Sequence, residues 1–260
     1  MNKKELVFDA LRYPLSDWKK ILILGIIIVI SSLYIVAKLL GITNNIFLDL
    51  LGISGLLIGV LLNGYAFRII KSTLTGAEKL PEFNILTDMF INGIRALFVA
   101  IVYATPCLIV LIFAPILFAL LLGTLFPIAP DDNGFYPGLL ILFGIFMLFM
   151  ILFTFIYLIV IFPIYAIALA NMAHSNNKLT AAFRFHEILN KIRNIGWING
   201  IMQYILLGIP FVILFIISGF IITIFRLIHP VIGIVIILLI VVPYLEMYMA
   251  RSIALVYTLK

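Results

Sequence analysis

Six long apolar stretches divide this chain, and nothing else in it constrains the fold as much. A bilayer hydrocarbon core about 30 Å thick is crossed by a helix of about 20 apolar residues, because a span must satisfy its own backbone hydrogen bonds. The stretches run from about Trp18 to Leu40, Ile46 to Ile70, Ala96 to Leu122, Leu139 to Ala170, Trp197 to Phe225 and Val231 to Ala250, the last continuing as helix toward Lys260. They consume most of the 260 residues and leave no room for a separate soluble domain. With 65% hydrophobic and 11% charged residues and a mean hydropathy of +1.29, the chain has too little polar surface for a water-soluble fold. The expectation is an all-α polytopic bundle of six transmembrane helices, one integral membrane domain over 1–260.

The positive charge gives the direction. Lys3, Lys4, Arg12, Lys19 and Lys20 precede the first span; Arg68, Lys71, Lys79 and Arg95 flank the second connection; Lys178, Arg184, Lys191 and Arg193 fill the fourth; Arg251 and Lys260 close the chain. Only Lys38 and Arg226 fall on the other side. Basic side chains stay cytoplasmic during insertion, so both ends belong in the cytoplasm of a plasma-membrane protein. The first apolar stretch has about 20 residues before it and no small-residue cleavage site, and reads as a retained helix. A net charge of +6 spread along membrane flanks suits anionic headgroups and gives no single basic patch for nucleic acid.

The basic connections are amphipathic. Phe8, Leu11, Leu15 and Trp18 share one side of a wheel, with Glu5, Asp9, Arg12, Ser16 and Lys19 opposite. Pro14 predicts a turn, and Ser16 or Asp17 a cap for the first span. Pro81 predicts a helix start, followed by Phe83, Leu86, Phe90, Ile94 and Leu97 at helical spacing. Phe185, Ile188, Leu189, Ile192 and Ile195 form the clearest stripe, opposite Arg184, Glu187, Asn190, Lys191 and Asn194, with Glu187 and Lys191 spaced for an ion pair. An interfacial helix followed by a hairpin thus recurs over 1–72, 81–175 and 178–260. The three units end alike, at Gly64-Tyr65 before Ser72, Tyr165 before Ser175, and Tyr244 before Ser252.

The segments Phe8-Asp9-Ala10-Leu11-Arg12-Tyr13-Pro14 and Ser16-Asp17-Trp18-Lys19-Lys20 carry a resemblance, as do Gly64-Tyr65 with Arg68, Lys71-Ser72-Thr73-Leu74, Gly76 and Leu80-Pro81-Glu82-Phe83. They resemble an archaeal membrane family known as domain of unknown function 4013. The resemblance implies a six-helix archaeal plasma-membrane protein, with no activity and no catalytic residue to carry over.

Polar residues inside spans are the usual pointers to function. Here Asn63, Tyr65, Arg68, Asn199, Gln203, Tyr244 and Glu246 fall in the basic half, where they outline a candidate inward-opening groove. Glu246 either receives a cationic group or pairs with Arg251 or Arg68. Pro106, Pro115, Pro163, Pro210 and Pro243 read as kinks, and Gly52, Gly55 and Gly59 as close helix packing. Asp131-Asp132-Asn133-Gly134 lacks the spacing of a calcium loop and reads as a solvated outer turn. Cys107 is the lone cysteine, and His174, His186 and His229 match no ligand spacing, so neither metal nor cofactor is expected. The residues point to a non-catalytic protein that binds a lipid or small apolar molecule, transports it or organises the membrane. A transporter or channel subunit and a scaffold or partner subunit are the rival readings, and oligomeric state stays open. A reporter fused after Lys260 is expected on the cytoplasmic side; an external signal from that fusion overturns the orientation.

Overall fold

The computed structural model describes residues 3–125 and 137–259, and among them every regular element is helical. Helix α1, Lys3–Arg12, stops ahead of Pro14, whose ring fits a 3-10 turn at Pro14–Ser16. Asp17 then turns extended and accepts the N–H groups of Lys19 and Lys20, capping α2, Trp18–Ser31. The first predicted span does not run through. At Ser32 the chain bends by 60° into α3, Leu33–Leu39, so residues 18–39 form a bent apolar pair in place of one straight helix. The Ser31 hydroxyl donates back to the carbonyl of Ile28, and the Ile35 N–H bonds Ser32 in place of Ser31. Serine back-bonding bends helices in this way.

Helix α4, Asn45–Leu74, is capped by Asn44, whose side chain accepts from the Phe47 N–H at 3.1 Å. Helices α5, Leu86–Leu125, and α6, Pro137–His174, are 40 and 38 residues long. Helix α7, Phe185–Ile195, meets α8, Trp197–Arg226, at Gly196, whose φ of 85° lets the chain turn sharply between them. Helix α9, Pro230–Ile236, passes through a π turn at Ile237–Val241 into α10, Val242–Thr258. Five described helices are long and apolar enough to cross a membrane, and the broken pair makes up to six.

The helix expected from Pro81 is absent. Helix α5 starts at Leu86, and residues 80–85 are non-helical because their carbonyls are taken by side chains from elsewhere, as described below. The Asp131–Gly134 turn lies outside the described residues, with Pro127 and Pro130.

The described chain divides into two compact units, one of residues 1–99 and 166–260, the other of residues 100–165. In the first, helices meet backbone to backbone through glycine. A Cβ on Gly64 of α4 would overlap the Met89 carbonyl of α5, and one on Gly93 of α5 would overlap the Val60 carbonyl of α4. Gly55 stands in the same way against Ser31, whereas Gly59 faces open space. In a bilayer, where apolar side chains gain nothing by leaving lipid for each other, such close approach supplies the packing. Gly25 of α2 meets the Leu239 carbonyl inside the π turn. Leu239 is four residues before Pro243, which has no N–H to offer it, so the π turn and its glycine neighbour follow from that proline.

In the second unit α5 and α6 run antiparallel. Phe118 stacks on Phe146 at 4.1 Å, and the Tyr157 hydroxyl donates to the Tyr103 carbonyl at 2.6 Å.

Gly25→Ala is expected to force α2 away from the π turn and to lower stability by about 1–3 kcal/mol, the usual cost of overpacking. Gly59→Ala, with no atom within 4 Å of the added methyl, is expected to be near neutral. Thermal denaturation of the two variants in the same detergent checks the contrast.

Candidate functional site

At one end of the first unit, polar side chains from the helix termini grip the chain segments that connect them. Arg251 on α10 is the centre. Its side chain is 8% exposed and pairs with Asp9 of α1 at 2.8 Å. The same guanidinium donates to the Thr73 hydroxyl at 3.2 Å and the Ala77 carbonyl at 2.8 Å, and it lies 4.5 Å above the Tyr13 ring. The Tyr13 hydroxyl donates to the Lys79 carbonyl at 3.2 Å. Burial raises the Tyr13 phenol above its ordinary pKa; the hydrogen bond to Ser72 and the charge of Arg251 oppose that shift.

The segment before α5 is held in the same manner. The Lys20 ammonium donates to the Leu80 carbonyl at 2.7 Å and pairs with Glu82 at 2.8 Å. The Tyr65 hydroxyl donates to the Pro81 carbonyl at 3.1 Å, and its ring stacks on Phe83. Arg68 donates to the carbonyls of Glu82, Asn84 and Ile85 and pairs with Asp88 at 3.4 Å. With these carbonyls engaged, residues 80–85 stay out of a helix.

The third connection repeats the device. The Asn171 amide donates to the Ala181 carbonyl at 2.9 Å and accepts from the Tyr257 hydroxyl at 3.0 Å. Arg95 donates to the Asn177 carbonyl at 3.3 Å. Lys191 reaches the Leu259 carbonyl and lies over the Tyr257 ring, so it does not pair with Glu187 as its spacing suggested; Glu187 pairs with Arg184 at 3.2 Å.

The residues proposed for a groove occupy different settings. Tyr65 and Arg68 come together on residues 81–88, where both act on the backbone. The Tyr244 hydroxyl donates to the Leu11 carbonyl at 2.9 Å, fastening α10 to α1. Asn63 is exposed and donates to Gly59 within its own helix. Asn199 is exposed on the first turn of α8. Gln203 is 1% exposed, and neither atom of its amide has a hydrogen-bond partner. Glu246 is exposed, and both partners suggested for it are engaged, Arg251 by Asp9 and Arg68 by Asp88.

Sequence reasoning treated Asp9, Lys20 and Arg251 as surface and topology charges. A signal for Arg251 was present: it lies at helical spacing from Tyr244, Tyr248 and Leu255, a face that is mostly apolar. That face meets Leu6, Ala10 and Leu207 in the buried cluster.

The two short segments at the basic end bury some apolar side chains and expose others. In α1, Leu6 and Ala10 point into the fold, with Tyr13 just beyond, while Phe8 is 60% exposed; past α1, Leu15 of the 3-10 turn and Trp18 at the start of α2 are also exposed. In α7, Ile188, Ile192 and Ile195 are buried, whereas Phe185 and Leu189 are exposed. Arg12, Lys19, Lys178 and Arg193 are exposed beside them.

No group of three or more His, Cys, Asp or Glu among the described residues is placed to hold a metal ion. The second unit contains an apolar cavity of about 360 Å³ between α5 and α6.

The chain belongs to the family described as Protein of unknown function (DUF4013), whose model matches residues 47–227. No curated protein and no solved structure matches it.

Arg251→Ala is expected to lower stability by about 1–3 kcal/mol, because it removes the charged donor from Asp9, Thr73 and Ala77, while Asp9, itself 40% exposed, can turn to water. Arg251→Lys is expected to recover only part, since an ammonium cannot fork to Asp9, Thr73 and Ala77 together. Denaturation in detergent, followed by the loss of helical circular dichroism, measures both.

Proposed function

We propose that this chain is a non-catalytic lipid-binding protein of the plasma membrane, with both ends cytoplasmic and its basic end engaging anionic headgroups. One observation carries the reading. Residues 3–19 and helix α7 each bury some apolar side chains in the fold and leave others exposed, Phe8, Leu15 and Trp18 in the first and Phe185 and Leu189 in the second, with exposed basic side chains close by in the chain. An apolar edge flanked by Lys and Arg is what an interfacial helix presents to a membrane surface. On this reading Phe8, Leu15, Trp18, Phe185 and Leu189 enter the headgroup–acyl boundary, and Arg12, Lys19, Lys178 and Arg193 meet the phosphates.

The charge bias supports the orientation, since fifteen of the seventeen Lys and Arg flank the same side. Each basic side chain near an anionic surface is worth about 1 kcal/mol, so four together give a useful preference over neutral lipid. The clamps around Arg251, Lys20 and Arg68 fasten α1 and residues 73–88 to the bundle. Such a protein organises inner-leaflet lipid around itself and performs no chemistry on it.

The test is native mass spectrometry of protein equilibrated with equal phosphatidylglycerol and phosphatidylcholine. Retained lipid is expected to be enriched in phosphatidylglycerol. Changing Arg12, Lys19, Lys178 and Arg193 to Gln is expected to cut that enrichment several-fold while leaving the melting temperature nearly unchanged. Equal retention of the two lipids by the unaltered protein overturns the headgroup reading.

A further inference from the structure

In the hairpin of the second unit, ring contacts join α5 and α6 at two places, beside the hydrogen bond from the Tyr157 hydroxyl to the Tyr103 carbonyl. At one, the rings of Tyr103 and Tyr165 meet edge to face at 6.2 Å. At the other, Phe118 stacks on Phe146 at 4.1 Å. Helix α5 carries Pro106 and Pro115 between these contacts, and each removes a helical hydrogen bond and crowds the preceding turn. The space left between the helices is the cavity of about 360 Å³. Its wall includes Ala104, Cys107 and Leu111 from α5 and Thr154, Leu158 and Ile161 from α6.

The wall is almost wholly carbon, and the hydroxyls in its middle are spent within the protein. Thr154 donates to the Met150 carbonyl at 2.8 Å, and Tyr157 to the Tyr103 carbonyl. Water needs two to four polar partners to stay in such a space. A cavity of this size falls in the range of roughly 300–1,000 Å³ typical of ligand pockets. At about 30 Å³ for a water, and a methylene is of similar size, it takes a chain of about a dozen carbons. The wall spans residues 100–111 of α5, about 17 Å of helix, which is the reach of such a chain extended. Both helices are membrane spans, so the molecules that meet this opening are lipids.

We infer that the cavity between α5 and α6 is a binding site for one hydrocarbon chain of a membrane lipid. The inference rests on the reading of this chain as a lipid-binding membrane protein but uses a different surface. It concerns the chain of the lipid and is indifferent to the headgroup, so the two readings fail separately.

The experiment uses the full-length protein in phosphatidylcholine vesicles containing a small fraction of phosphatidylcholine with a terminal diazirine on one palmitoyl chain. After photolysis, labelled residues are located by peptide mass spectrometry. Labelling within 100–111 and 154–165 is expected to exceed, several-fold, that of Ile53, Leu56 and Leu57, which are exposed on α4 and line no part of this cavity. Ala104→Trp fills the cavity and is expected to bring the excess down to that reference level. Replacing phosphatidylcholine with phosphatidylglycerol is expected to leave the pattern unchanged. Cys107 is the only cysteine, lies in the wall and is 7% exposed, so it gives a second readout without mutation. Its alkylation by N-ethylmaleimide in delipidated detergent is expected to slow several-fold when phosphatidylcholine is added back. Uniform labelling along the spans overturns the inference, as does an alkylation rate that ignores added lipid.

Discussion

The ion pair between the buried Arg251 and the partly exposed Asp9 ties the first helix to the last. Arg251 lies near the C-terminus of the last span, Asp9 in the first helix, and Thr73 and Ala77 at the end of α4. One guanidinium therefore joins three elements that are far apart in sequence. Arginine suits the place because its planar fork serves several acceptors at once and stays charged when buried. A charge taken out of water is costly unless its partners are complete. Here they are supplied by a carboxylate, a hydroxyl, a carbonyl and the face of Tyr13.

The same logic explains why the connections look irregular. Lys20, Tyr65 and Arg68 all donate to backbone carbonyls of residues 80–85, and Asn171 and Arg95 do so in the 175–184 segment. Backbone groups outside helices must find partners. At a membrane end, where water is only partly present, side chains from neighbouring helices provide them. The polar residues of the basic half serve mainly as this fastening. Gln203 differs, since its buried amide has no hydrogen-bond partner among the described residues.

Within the bilayer the packing changes character. Gly25, Gly55, Gly64 and Gly93 each place bare backbone against a carbonyl of another helix. Side-chain burial gives little drive between helices in lipid, so contact depends on how near two backbones come. In the hairpin of α5 and α6 aromatic contacts hold the helices at two points, and the prolines between them leave a gap. The two arrangements have different consequences, one a closed packing and the other a cavity open to a chain.

Much of this was legible in the residues. Apolar length marked the spans from Ile46, Trp197 and Val231 to within a few residues, because the cost of unpaired backbone in lipid leaves helices as the answer. Residue type narrowed the cap of the first span to Ser16 or Asp17, and the fold uses Asp17. Helical spacing located α1 and α7, but the wheel over residues 8–18 took Phe8, Leu15 and Trp18 as the apolar side, whereas the fold buries Leu6, Ala10 and Tyr13. Helix α2 looked continuous because Ser31-Ser32 is a weak signal in an apolar run. The helix expected at Pro81 failed because side chains some 15 to 60 residues away claim its carbonyls. Glu246 was matched to Arg251 by nearness in sequence, whereas Asp9 reaches that arginine across 242 positions. Composition and charge order thus determined by themselves that the chain is a helical membrane bundle and which ends are basic, since those follow from transfer of side chains between water and lipid. Which polar groups pair, where the spans break and where a cavity opens were decided only in the tertiary structure. Those depend on donors, acceptors and surfaces brought together from distant parts of the chain.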